Sequence, residues 1–229
     1  MKTLSQIIQG LFRDIAIDIG TTNIRSYLKN SPEIRSEPAI VAINNSAGQI
    51  LAVGQSAKEM QGKNPSNINI VQPLKHGVVS DFNATESLIH YTLEKLKDGF
   101  TLFDHLLGGR VTIGVPSVIT EVEINALVDS AKSAGARIVK VVEQPMAAAA
   151  GNDLPIGGNN ALMVVDIGGG TTDIAIIAMN SIIIDNTVKI GVDTFDEAII
   201  SYVKSKYNLL ISKSSAEQVK ITLATAMPP

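Results

Sequence analysis

The 229-residue sequence contains no cysteine, no tryptophan and only three histidines. Without cysteine there is no disulfide scaffold, no thiol nucleophile and no thiolate-ligated zinc. His76, His90 and His105 are too scattered to suggest a histidine-built metal centre. A basic excess is also missing: 19 Lys and Arg face 22 Asp and Glu, for a net charge of -3. That balance argues against a nucleic-acid partner. No uninterrupted apolar run approaches the roughly 18–20 residues that a bilayer span requires. The N-terminus lacks the apolar run and small-residue cleavage site of a secretory signal. These absences lead to the expectation of a soluble, cytoplasmic chain in a reducing compartment. With 45% apolar residues, the length suits one large domain or two small ones with a sizeable core.

The first thirteen residues stand apart. Met1, Leu4, Ile7, Ile8, Leu11 and Phe12 fall on one arc of a helical wheel, with Lys2, Ser5, Gln6, Gln9 and Arg13 on the other. This spacing predicts an amphipathic helix. It either packs on its own domain or lies in a membrane interface, and its terminal place with flanking Lys2 and Arg13 suits the second.

Further along, residues 14–18 and 24–28 read as strands, and 37–53 as a hairpin broken at Asn44, Asn45 and Gly48. The Gly-, Asn- and Pro-containing stretch 58–73 reads as surface connection. Helical spacing over 85–96 is followed by a loop (97–109) and a buried strand (111–115). Thr120 and Glu123 match a capping box, opening a helix that stops near Gly135. A strand at 138–142 and a helix over 146–150 come next. Strands are expected at 162–166, 173–178 and 182–190, and helices at 195–207 and 216–224. Strands alternating with helices predict an α/β fold with a largely buried sheet.

One internal repeat dominates the reading. Asp18-Ile-Gly20-Thr21-Thr22-Asn23 recurs 148 residues later as Asp166-Ile-Gly168-Gly169-Gly170-Thr171-Thr172-Asp173, each copy between apolar strands. A strand leads out of each copy, so this is a hairpin and not the strand-to-helix turn of a dinucleotide fold. A Walker motif is absent too, since Gly62-Lys63 is followed by Asn64. Glycines let backbone N–H groups close on phosphate oxygens. Thr21, Thr22, Thr171 and Thr172 add hydroxyl donors. Asp18 and Asp166 end their strands at matching points, where they can hold a hydrated Mg²⁺ through water. A single copy would read equally well as a tight turn with a satisfied Asp. Two copies point to a nucleotide clamped between related half-domains.

At these residues the sequence resembles the actin, heat-shock-chaperone and sugar-kinase superfamily, and within it the MreB family of bacterial actins. Other segments carry the resemblance: residues 37–42, 72–81, Val115-Pro-Ser, Glu143-Gln-Pro-Met-Ala-Ala-Ala149, 196–200 and Ser215-Ala-Glu-Gln-Val-Lys220. It implies an actin-like, ribonuclease H-like fold of duplicated domains around a nucleotide cleft, with the second half incomplete. Residues 1–13 would be a membrane-binding helix and 14–154 domain I, with a small IB insertion at about 36–80. Residues 155–193 would begin domain IIA and 194–229 domain IIB.

The resemblance further implies ATP with Mg²⁺, slow ATP hydrolysis in the full-length protein, and membrane-associated filaments of antiparallel double protofilaments. Such filaments control rod cell shape and organise peptidoglycan synthesis with the cell-wall elongation machinery, on the inner face of the cell membrane. Phosphates would lie on Gly20–Asn23 and Gly168–Thr172, and the metal on Asp18 and Asp166. Glu217 and Lys220 resemble the family's ribose and adenine contacts, although by spacing alone they are a solvated pair. Gln144 stands where the family usually has a glutamate that positions the attacking water, with Thr171 beside it. A glutamine can orient water but cannot take its proton. Glu143 reads otherwise as a surface or hinge carboxylate. Asp173 replaces a usual glutamate and is expected outside the phosphate nest. Leu102 and Phe103 resemble the family's apolar membrane loop, or belong to the core. The rival readings are a chaperone-type or sugar-kinase-type ATPase of the same superfamily, and a non-hydrolysing structural paralogue.

Overall fold

A computed structural model describes residues 13–75, 77–96 and 109–227. Residues 1–12 of the expected terminal helix (1–13) and the Leu102-Phe103 loop lie outside the described residues, and Arg13, expected to end that helix, opens the first strand instead.

Strand β1 (Arg13–Ile19) is the axis of the first half. It pairs antiparallel with β2 (Asn23–Leu28), which pairs antiparallel with β3 (Ile34–Pro38). On its other side β1 runs parallel to β9 (Gly109–Val115), and β9 parallel to β10 (Ala136–Glu143). The sheet order is therefore β10-β9-β1-β2-β3. Period-two alternation sends Ile15, Ile17, Ile19 and Ile24 to one face, all at most 4% exposed. Helices α2 (Phe82–Leu96) and α3 (Glu121–Ser133) supply the residues packed against them, Leu88, Ile89, Leu127 and Ala131 among them.

The expected capping box is present. The Thr120 N–H donates to Glu123 Oε2 at 2.9 Å, and the Glu123 N–H donates to Thr120 Oγ1 at 3.3 Å. Thr120→Ala removes one half of this exchange and should cost about 1 kcal/mol. Urea denaturation of parent and variant would read this as a lower midpoint at unchanged slope.

A smaller three-stranded sheet lies between β3 and α2. It comprises β4 (Val41–Asn44), β5 (Gln49–Val53) and β6 (Ile68–Val71), in the order β5-β4-β6, with helix α1 (Gln55–Met60). The stretch 58–73, expected as surface connection, is thus corrected: it holds the end of α1 and all of β6. Ile68 and Ile70 pack on Ile40, Ala42 and Ala57. That pairing with β4 is not local in sequence, and the polar residues between α1 and β6 mask it. A two-stranded hairpin, β7 (Leu74–Lys75) and β8 (Val78–Val79), leads into α2.

The second half begins with an antiparallel meander of β11 (Leu162–Ile167), β12 (Thr172–Ala178) and β13 (Ser181–Val188). Helix α4 (Gln144–Gly151) starts directly where β10 ends and touches strands of both large sheets. Its Ala149 packs with Ala175 and Ile177 of β12. Two helices follow and pack on each other, α5 (Val192–Tyr207) and α6 (Lys213–Leu223).

A largely buried sheet was expected throughout, but the meander is covered on one face only. Met163, Val165 and Ile184 stand on the other face at 68%, 48% and 58% exposure. Val165 lies opposite Ile174 in register, and Met163 opposite Ile176.

Candidate functional site

The two copies of the repeat form hairpins of the same construction. In the first, Ile19 pairs with Ile24 around the loop Gly20–Asn23. In the second, Ile167 pairs with Thr172 around the loop Gly168–Thr171. Each loop is closed by the same bond: the Gly20 N–H donates to the Asn23 carbonyl at 3.0 Å, and the Gly168 N–H to the Thr171 carbonyl at 2.8 Å. The hairpins meet across a cleft. Gly169 lies so close to Thr22 that a Cβ there would collide with the Thr22 side chain.

Three parallel strands of the first half end at this cleft. β1 brings Asp18, β9 leads into Pro116, and β10 passes straight into Gln144 at the start of α4. The Gln144 Nε2 donates to Asp18 Oδ1 at 2.7 Å, and an Arg25 Nη donates to Asp18 Oδ2 at 3.4 Å. Glu143, by contrast, is exposed and makes no side-chain capping bond. Across the cleft Asp166 is half-buried. Burial raises its pKa above the ordinary carboxylate value, and the negative charges of Asp18 and Asp173 add to the rise, with Arg25 opposing.

Most of the predicted site residues come together: Asp18, the whole Gly20–Asn23 loop, Gln144, Asp166, Gly168, Gly169, Thr171, Glu217 and Lys220 line one cleft of about 900 Å³. Gly170 and Thr172 do not line it. The Thr172 hydroxyl donates to the Ile190 carbonyl at 2.8 Å. Pleat alternation explains the difference, because Thr172 shares the outer face of the meander with Ile174, while Asp173 shares the inner face with Ala175. Asp173, expected outside the nest, is 4% exposed and lines the cleft. The hydroxyls of Thr187 and Thr171 donate to its two carboxylate oxygens. Lys220 is not paired with Glu217. Its Nζ forms an ion pair with the buried Asp196 at 2.9 Å.

Several lining residues had escaped the sequence reading. The N-terminus of α5 docks on the second hairpin: the Val192 N–H donates to the Gly168 carbonyl at 3.0 Å, and the Asp193 N–H to the Gly169 carbonyl at 2.8 Å. Gly191 makes this contact feasible, since a Cβ there would strike the Gly169 backbone. Asp193 holds Lys213 at 3.1 Å. The run Gly191-Val-Asp193, which puts an acidic residue in a first helical turn, is the available signal.

Chemically the cleft offers loop backbone and hydroxyl donors for an anion beside carboxylates that want a cation. Among the described residues no group of three or more His, Cys, Asp or Glu side chains could hold a metal ion. Asp18 and Asp166 line the same cleft and are close enough for the charge of one to raise the pKa of the other, so two carboxylates, and not a full ligand set, are what this chain could offer a hydrated cation.

A family profile described as MreB/Mbl protein matches residues 12–229. The chain belongs to the MreB/Mbl family. It is 40% identical over 225 residues to the cell shape-determining protein MreB of Escherichia coli strain K12, covering 96% of this chain and 64% of that protein. To the cell shape-determining protein Mbl of Bacillus subtilis strain 168 it is 41% identical over 216 residues, covering 94% and 64%. Among solved structures, MreB5 of Spiroplasma citri bound to ADP superimposes with a TM-score of 0.85 at 32% identity, covering 95% of this chain and 64% of that one. A MamK double helical filament matches with a TM-score of 0.73 at 20% identity over 92% of the chain, which speaks for the actin-like fold alone. The chain spans 64% of the length of these MreB and Mbl relatives, and its half-covered second sheet accords with an incomplete second half.

Proposed function

We propose that the chain is the larger part of an actin-like cytoskeletal protein that binds ATP with Mg²⁺ in this cleft and assembles into filaments that determine cell shape. The observation that carries this reading is the pair of matched glycine hairpins facing each other, each with an aspartate at its base. A cleft of about 900 Å³ is large enough for a nucleotide. The MreB5 relative is described as bound to ADP in one structure and to AMPPNP in another.

In this reading the Gly20 and Gly168 loops take the phosphates, while Asp18 and Asp166 hold the hydrated metal. Bound there, Mg²⁺ supplies positive charge that offsets the phosphates. Glu217 and Lys220 border the nucleoside end. Gln144 has its amide N–H committed to Asp18, which leaves its carbonyl oxygen to accept from a water, with Thr171 on the other side. Neither group takes up a proton readily at neutral pH, so hydrolysis is slow. Residues 1–13, with Leu102 and Phe103, attach the filament to the inner face of the membrane, beside the cell-wall elongation machinery.

Calorimetric titration with ATP tests the nucleotide reading. Saturable binding that weakens on chelation of Mg²⁺ is expected. No binding in either buffer would overturn it.

A further inference from the structure

The two hairpins obey one register, and one position breaks their likeness by reversing its charge. Asp18 pairs across its hairpin with Arg25, and Asp166 pairs with Asp173. Both partners stand two residues beyond their loop, so Arg25 and Asp173 are equivalent in the repeat. Asp173 is buried and held by two threonine hydroxyls. Arg25 is held loosely: its side chain is 57% exposed, and its bond to Asp18 is 3.4 Å long.

The charges at the inner end of the cleft are therefore Asp18, Asp166 and Asp173 against Arg25 alone. The other cations that line the cleft sit elsewhere. Lys213 and Lys220 of α6 are tied to Asp193 and Asp196 of α5, and Lys58 and Lys63 come from α1 and the turn after it. Among the described residues that line the cleft, Arg25 is the one cation carried by a strand of a glycine hairpin. A guanidinium at that place has two uses: it offsets Asp18 when no metal is present, and it reaches the anion for which the loops supply donors. Its planar fork matches phosphate oxygens, and a charge-assisted contact to phosphate is stronger than a long, solvent-exposed bond to a carboxylate.

We propose that Arg25 is a phosphate-binding residue of the cleft, which leaves Asp18 for the terminal phosphates of a bound nucleotide and frees that carboxylate for the metal. The proposal rests on the nucleotide reading of the cleft. It predicts that Arg25 and Mg²⁺ partly replace one another, so loss of Arg25 should be felt most where the metal is absent.

The test uses the full 229-residue chain, its Arg25→Leu variant and its Arg25→Lys variant, titrated with ATP and with AMP, in Mg²⁺ and in EDTA. Arg25→Leu should weaken ATP binding about 10- to 100-fold in EDTA and by a clearly smaller factor in Mg²⁺. AMP, which lacks the terminal phosphates, should bind all three proteins alike. Arg25→Lys should recover part of the loss. Equal ATP affinity of parent and Arg25→Leu in EDTA would overturn the proposal. So would a loss of the same size for AMP and ATP, which would mark a general disturbance of the hairpin. Failure of the parent to bind ATP in either buffer would instead overturn the nucleotide reading, and this proposal with it.

Discussion

Asp166→Asn should leave the ligand-free chain more stable at neutral pH while weakening Mg²⁺-dependent ATP binding more than tenfold. The two effects come from one cause. Burial, reinforced by the charges of Asp18 and Asp173, holds the Asp166 pKa above its ordinary 3.8. The folded chain therefore holds that proton more tightly than the unfolded chain does. Below the ordinary value the group is protonated in both states and costs nothing. As pH rises through the raised value, the folded chain must carry an ill-placed charge, and stability falls. Asparagine keeps the shape and removes the charge. The stability gain of the variant should thus be absent at the acid end of the carboxylate range and grow toward neutrality. Thermal unfolding across that range, beside ATP titration with and without Mg²⁺, would measure both arms. An exposed control, Asp129→Asn, should change neither. A variant that binds Mg²⁺ and ATP like the parent would remove Asp166 from the metal role. One that loses stability at neutral pH would show that the carboxylate is needed for packing.

The same residue shows why the site was half legible in the sequence. Asp18, Asp166 and the glycines of both loops sit in contiguous repeated segments, so repetition alone exposed them. What faces Asp18 and Asp166 was hidden, because a cross-strand neighbour is found only once the register is known. By sequence the second copy reads as a five-residue nest, Gly168–Thr172. The hydrogen bond from the Gly168 N–H to the Thr171 carbonyl fixes a four-residue loop, which moves Thr172 to the outer face and brings Asp173 inward. Arg25 escaped for the same reason. The docking of α5 was out of reach for another: its start at Val192 is set by carbonyls of a distant hairpin, and Gly191 carries no cap side chain to announce it.

The fold was more legible than the site where periodicity is local. The amphipathic spacing of α2 and the capping box of α3 were readable because each lies within one helix. Strand β6 was not, since Ile68 and Ile70 become a core only beside Ile40, Ala42 and Ala57. The expected buried sheet failed in the second half for a physical reason that can itself be tested. The meander reads as a buried sheet because both faces of β11 and β12 are apolar, yet α4 covers only the face that carries Ala175 and Ile177.

The 229-residue chain alone should consequently bind a hydrophobic dye and self-associate. Met163, Val165 and Ile184 are 68%, 48% and 58% exposed, and Ile174 and Ile176 lie opposite Val165 and Met163 on the same face. Burying a large apolar side chain completely gains about 1.5–3 kcal/mol. Several such residues on one face therefore outweigh the entropy of a loose association, even after the portion already buried is discounted. In the order β11-β12-β13, strand β11 is also an edge of its sheet, so backbone pairing can act together with the apolar face. Light scattering should rise with concentration and with ATP present should give irregular aggregates in electron micrographs. Val165→Lys places a charge at the centre of that face and should lower both dye fluorescence and scattering several-fold. Because Val165 lies on the face opposite Asp166 in the pleat, the substitution leaves the cleft carboxylate untouched, and ATP titration serves as its folding control. A parent chain that stays monodisperse and dark to the dye would show that this face is covered in solution, and the variant would then have nothing to relieve.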